Sequence, residues 1–144
     1  MHTVLALSKA IRILLGLLSL GLFVAGVIAF ADLQSNERVT LAAVRHACAA
    51  AGAPSGPVQV EIAGADASPS LVSDAAAAGL TLLPLSQQEE GAQVRLIVGA
   101  VSSTGMFTSS IPIRRLGEGT NPGQQIEYRL AWRFGWSVTG TVGG

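Results

Sequence analysis

The chain has 144 residues, nine Lys plus Arg against nine Asp plus Glu, and a charged fraction of only 12%, where an ordinary soluble domain carries roughly 25%. That length fits one domain of usual size rather than two. The apolar composition excludes intrinsic disorder as the main description, the lack of basic excess argues against nucleic acid as a partner, and a single Cys rules out an internal disulfide. Lys9 is the only lysine beside eight arginines in an Ala- and Gly-rich chain, the usage of a GC-rich bacterial genome.

Residues 1–12 form a short basic tail, with Lys9, Arg12 and His2. Residues 13–31 follow, 19 residues without a charge, and Ser19 is the only polar one. As a helix they span roughly 28 Å, close to the ~30 Å hydrocarbon core of a bilayer. In lipid a helix satisfies its own backbone groups. All nine carboxylates lie between Asp32 and Glu127, after the apolar segment. The positive-inside rule places the N-terminus in the cytoplasm and residues 32–144 outside, in the periplasm of a bacterial inner membrane. A cleaved signal peptide also fits: Ala29, Phe30 and Ala31 precede Asp32 in an A-x-A pattern, although the apolar run exceeds the usual 7–15 residues. Within the segment, Gly21, Ala25 and Ala29 recur every four residues on one helix face. Such small residues admit a second transmembrane helix at close range; they are also common in membrane helices without that role.

Residues 35–51 read as an Ala-rich helix capped by Ser35 or Asn36, with Leu41, Val44, Cys48 and Ala51 on one narrow face. Gly52 to Pro57 stop it. Val58, Val60 and Ile62 then alternate with Gln59 and Glu61, predicting a half-buried strand. Residues 69–78 predict a short helix ended by Gly79. The apolar run 80–85 is too short to classify, and 87–91 is a polar turn. Val94, Leu96 and Val98 alternate within a strand over 92–101, and 102–105 reads as a hairpin-length loop. Phe107, Ile111 and Ile113 predict a strand over 107–115, which Pro112 demotes to an edge or a bulge. The longest pattern is last: Ile126, Tyr128, Leu130, Trp132, Phe134, Trp136 and Val138 alternate with polar residues, predicting one long strand bent or bulged at Gly135. Its aromatic face is expected to supply most of the hydrophobic stabilisation. The expected class is α+β: one transmembrane helix, then an exported domain whose Ala-rich helix packs on an antiparallel sheet ending in a meander.

Chemistry-bearing residues are sparse. His46 and Cys48, two apart on a helix, lie about 200° round its axis and do not grip one ion. Cys48 reads as a small buried apolar residue, with a bond to a partner as the alternative. No Gly-x-Ser-x-Gly elbow accompanies His46. Glu89 and Glu90 are adjacent and diverge, so they read as a solvated turn. Gly117, Gly119 and Gly123, interrupted by Pro122, lack a following helix to hold phosphate. No cofactor or small-molecule substrate is expected. Arg114, Arg115, Arg129 and Arg133 are the candidate contacts for a partner's acidic groups; solvated strand residues are the plainer reading.

In layout, a membrane helix, an Ala-rich helix and a late antiparallel sheet, the chain resembles type IV pilin subunits and their tight-adherence relatives. That family carries a Gly cleavage site and a Glu five residues into the mature helix. Here the fifth residue after Gly16 is Gly21, no Glu precedes Glu37, and no functional residue transfers. The function expected is a non-enzymatic, single-pass accessory or assembly subunit of a bacterial envelope complex. Its partners are the lipid bilayer and integral membrane subunits. A pilin-like or pseudopilin-like building block and a secreted periplasmic binding or inhibitor domain are the alternatives.

Overall fold

A computed structural model of the chain describes residues 2–86, 94–116 and 124–143. The polar turn at 87–91, with Glu89 and Glu90, and the loop containing Gly117, Gly119, Pro122 and Gly123 lie outside the described residues. The chain divides into two compact units, Met1–Gln34 and Ser35–Gly144.

The first unit is one helix, α1 (His2–Gln34), which extends beyond the apolar segment at both ends. It is long and apolar enough to cross a membrane. Its large side chains from Val4 to Phe30 are exposed all the way round. No stripe is reserved for a core, unlike the one-sided pattern of a helix on a soluble domain.

The second unit is α+β. Its helices are α2 (Asn36–Ala50) and α3 (Pro69–Ala77). Its strands are β1 (Val58–Ile62), β2 (Ala65–Asp66), β3 (Leu82–Leu83), β4 (Arg95–Val98), β5 (Ser102–Gly105), β6 (Thr108–Leu116), β7 (Gln125–Trp132) and β8 (Trp136–Val142). They form a mixed, mostly antiparallel sheet in the order β2-β1-β4-β6-β7-β8, with β3 on β1 and β5 on β6. The parallel pairs are β1 with β3 and β1 with β4.

Both helices begin and end on side chains and glycines that suit the job. Ser35 Oγ accepts the Arg38 amide at 3.3 Å at the start of α2. At its end Gly52, at φ +78°, lets the Ala53 amide donate to the Cys48 carbonyl at 2.9 Å. Helix α3 repeats the device. Ser68 caps it, Pro69 opens it, and Gly79 at φ +81° turns the chain so that the Leu80 amide donates to the Ala75 carbonyl at 2.9 Å. These closures satisfy carbonyls a helix end leaves unpaired.

The two N-termini are joined by one carboxylate. Glu37, in the first turn of α2, accepts from Ser68 Oγ and Ser70 Oγ at 2.7 Å each. The Ser68 bond, then the Ser70 bond, hold its pKa below the ordinary carboxylate value. A carboxyl whose pKa is lowered by folding stabilises the fold above its unfolded pKa and loses that contribution as pH falls through the folded one. Ser68→Ala is expected to cost about 1 kcal/mol through the lost cap, lowering Tm by roughly 4–8 °C. Tryptophan fluorescence measures it cleanly, because Trp132 and Trp136 are the chain's two tryptophans and both lie in this unit. The loss caused by Glu37→Gln should be largest at neutral pH and shrink in acid; a loss equal at both would refute the ionic part.

The core lies on one sheet face. Val58, Val60, Leu96, Val98, Ile111, Ile113, Tyr128 and Leu130 are buried there with Val39, Val44, Ala47 and Cys48 of α2 and Leu71 and Ala75 of α3. The opposite face carries the alternate positions, among them Gln59, Glu61, Arg95, Arg114, Glu127 and Arg129. Glu61 and Arg95 form an ion pair across β1 and β4.

Four expectations are corrected. Residues 102–105 are strand β5, not a loop, and only Met106 and Phe107 turn between it and β6. Strand β6 is central despite Pro112. Its upper half pairs with β4 and its lower half with β5, and Pro112 sits where one partner gives way to the other. The Pro112 carbonyl accepts the Gly99 amide at 2.8 Å. Backbone donor and acceptor of one strand residue face the same side, so the missing N–H also faces this changeover, where no ladder bond is lost.

The long last strand is a hairpin, β7 and β8, turning through Arg133, Phe134 and Gly135. Trp132 stands opposite Trp136 and Leu130 opposite Val138. A three-residue loop conserves parity, so an even–odd alternation reads the same through the turn as along one strand. The aromatic residues are consequently not the main core. Tyr128 is buried, Trp132 and Trp136 are partly so, and Phe134 is exposed. The interior is aliphatic, led by Leu80, Leu96, Ile111 and Leu130.

Candidate functional site

On α1, Gly21 and Ala25 are exposed and Ala29 is partly buried. A Cβ placed at Gly21 meets nothing within 4 Å. The small-residue row is therefore open at Gly21 and Ala25 and partly covered at Ala29.

The four arginines are not one patch. Arg114 on β6 and Arg129 on β7 share the outer sheet face, two registers apart, with Glu127 opposite Pro112 between them. Arg115 is on the helix side of the same strand, where its charge acts on Tyr128. Arg133 is exposed in the β7–β8 turn.

Two open clefts flank the sheet. One, of about 410 Å³, lies on the outer face between Thr104, Thr108, Ser110, Glu127, Arg129 and Thr139. The Thr104 and Thr108 hydroxyls are hydrogen-bonded at 3.0 Å, and Thr139 Oγ1 donates to the Arg129 carbonyl at 3.3 Å. The other, of about 320 Å³, lies where α2 meets β8, between Ala42, Arg45, His46, Trp136 and Val138. His46 approaches Tyr128 edge-on, with ring centroids 5.7 Å apart. The consecutive hydroxyl residues at 102–104 and 108–110 are the sequence signal for the first cleft, and a loop over 102–105 does not bring them together. Nothing local signals the second, which needs two distant segments.

Burial pushes the Cys48 thiol up to about 11, so it is a protonated thiol at neutral pH and a poor nucleophile. Burial also raises Tyr128, opposed in part by Arg115. Among the described residues no group of three or more His, Cys, Asp or Glu side chains converges on a point that would hold a metal ion.

The remaining surface feature is the end of the sheet where the β5–β6 and β7–β8 turns lie side by side. The Trp132 amide donates to the Phe107 carbonyl at 2.8 Å. The Phe107 and Trp132 rings stack at 6.1 Å with an interplanar angle of 22°, and Trp132 meets Phe134 at 5.9 Å. Comparison with protein-family profiles, curated proteins and solved structures found no match to this chain.

Proposed function

We propose that the chain is a non-enzymatic, single-pass accessory or assembly subunit of a bacterial envelope complex, with residues 13–31 of α1 in the inner membrane and residues 32–144 on the periplasmic side. The observation that carries this reading is α1 itself. Its large apolar side chains from Val4 to Phe30 are exposed on every side, and such a surface is stable only in lipid or against other apolar helices. The row Gly21, Ala25 and Ala29 offers a seam for such a helix. The charge asymmetry supports the orientation, with Lys9 and Arg12 before the apolar segment and every carboxylate after it. The sparse donor chemistry of the domain favours contact over catalysis.

The A-x-A pattern at Ala29, Phe30 and Ala31 favours a second reading, a secreted domain starting at Asp32. Purification of a tagged full chain in mild detergent, with intact mass measurement and carbonate extraction of membranes, tests both. The expected result is a chain retaining α1, resistant to carbonate and carrying a stoichiometric integral membrane partner. A monodisperse monomer would overturn the subunit reading. A mature chain beginning at Asp32 and found free in the periplasm would establish the second. Filaments of a chain processed within α1 would indicate the pilin-like alternative.

A further inference from the structure

We propose that the two adjacent turns at the end of the sheet, Met106 with Phe107 and residues 133–135, form a lipid-binding tip that enters the headgroup region of a bilayer.

Among the described residues of the domain, Phe134 and Met106 are the most exposed large apolar side chains, at 98% and 79%, and Phe107 stands at 47%. All three lie on this one tip, and Trp132 links the two phenylalanines into a continuous strip of rings. Phe134 is costly where it is. Its φ of +56° lies in the left-handed region, which glycine enters freely and a bulky residue does not. A large ring held in that conformation and pointed into solvent adds nothing to the core. Such a residue points to a use outside the fold.

The chemistry fits lipid. Trp and Phe beside Arg is the composition favoured at membrane interfaces, where rings sit among headgroups and guanidinium groups meet phosphates. Arg133 is in the turn, and Arg129 is three residues before Trp132. Residues 99–116 and 128–143 contain no carboxylate. Glu127 is five positions back along β7 from Trp132, about 17 Å at strand rise. The shape fits as well. Met106 and Phe134 project from the two turns, while the neighbouring cleft on the outer face is lined mostly by hydroxyl and charged side chains. Three exposed side chains also supply far less than the ~800 Å² per partner of a stable protein interface, which disfavours a second copy as the occupant.

The proposal rests on the anchor reading in one respect. Ser35 is the only residue between α1 and α2, so an embedded α1 tethers the domain to the same bilayer.

The test uses the full chain in vesicles of phosphatidylcholine and phosphatidylglycerol, with or without bromine on the acyl chains. Helix α1 contains no tryptophan, so emission reports the tip region alone, and Trp136→Phe restricts it to Trp132. Bromine near the headgroup should quench Trp132 to roughly half its emission, and bromine near the acyl terminus much less, as for an interfacial ring. The double substitution Met106→Ser with Phe134→Ser should reduce that quenching at least twofold with the thermal melt unchanged. Equal emission in brominated and plain vesicles, from chains that float with the vesicles after carbonate, would overturn the tip while leaving the anchor intact. Chains that neither float nor quench would overturn both. Quenching that survives the double substitution would also overturn it, because the exposed side chains would then not be the ones that enter.

Discussion

Leu96→Ala is expected to be among the most damaging single substitutions in the domain, at about 2–5 kcal/mol. Leu96 is fully buried on the central strand β4, between Val60 of β1 and Arg115 of β6, so the cavity has little freedom to collapse. A domain of this size is stable by about 5–15 kcal/mol, so the loss is a large fraction of the total. The melting temperature should fall by roughly 10–20 °C. The contrasting substitution is Phe134→Ala, which should stay within about 0.5 kcal/mol because the ring is solvent-exposed. Tryptophan fluorescence melts of the full chain in detergent measure both. Were Phe134→Ala as costly as Leu96→Ala, the aromatic strip would belong to the stabilising core after all.

Gly56→Ala is the second large effect, and its cause is different. Gly56 sits at φ +76°, and a Cβ there would lie 2.5 Å from the Thr81 carbonyl oxygen and 3.2 Å from the Val58 amide nitrogen. Both are backbone atoms of segments already tied together. The Val58 amide donates to the Thr81 carbonyl at 3.1 Å, and the Thr81 amide to the Ser55 carbonyl at 3.0 Å. No side chain can rotate away, so the start of β1 or the approach to β3 must move. The expected cost is about 2–4 kcal/mol, from left-handed strain plus displaced pairing. Gly64 supplies the control. It has a similar φ of +79° with nothing within 4 Å of an added Cβ, so Gly64→Ala should cost only about 1 kcal/mol. Equal losses at the two positions would show that strain alone operates and that the close contact is tolerated.

The outcome at the candidate site follows the same division between local and distant causes. The small-residue row on α1 was visible because every member lies on one continuous helix, where spacing alone sets the face. The arginines were visible as residues but not as an arrangement. Arg114 and Arg115 are adjacent on one strand and so face opposite sides of the sheet, and Arg133 left the strand altogether when the chain turned. The tip needed two turns brought side by side by the pairing of β6 with β7. No window of sequence contains both.

Residue pattern alone indicated the local elements: the apolar run of α1, a helix start at Ser35 or Asn36, a short helix over 69–78, the alternation of β1 and β4, and the glycines that end each helix. Each depends on interactions within a few residues, which composition and spacing encode directly. Strand partners were another matter. That β1 pairs in parallel with β4, that β6 is central with Pro112 at a change of neighbour, and that residues 126–138 fold back on themselves are all set by pairing between distant segments. An alternating pattern shows which side of a strand is apolar. It does not show which strand lies beside it, and a turn of odd length leaves it unbroken.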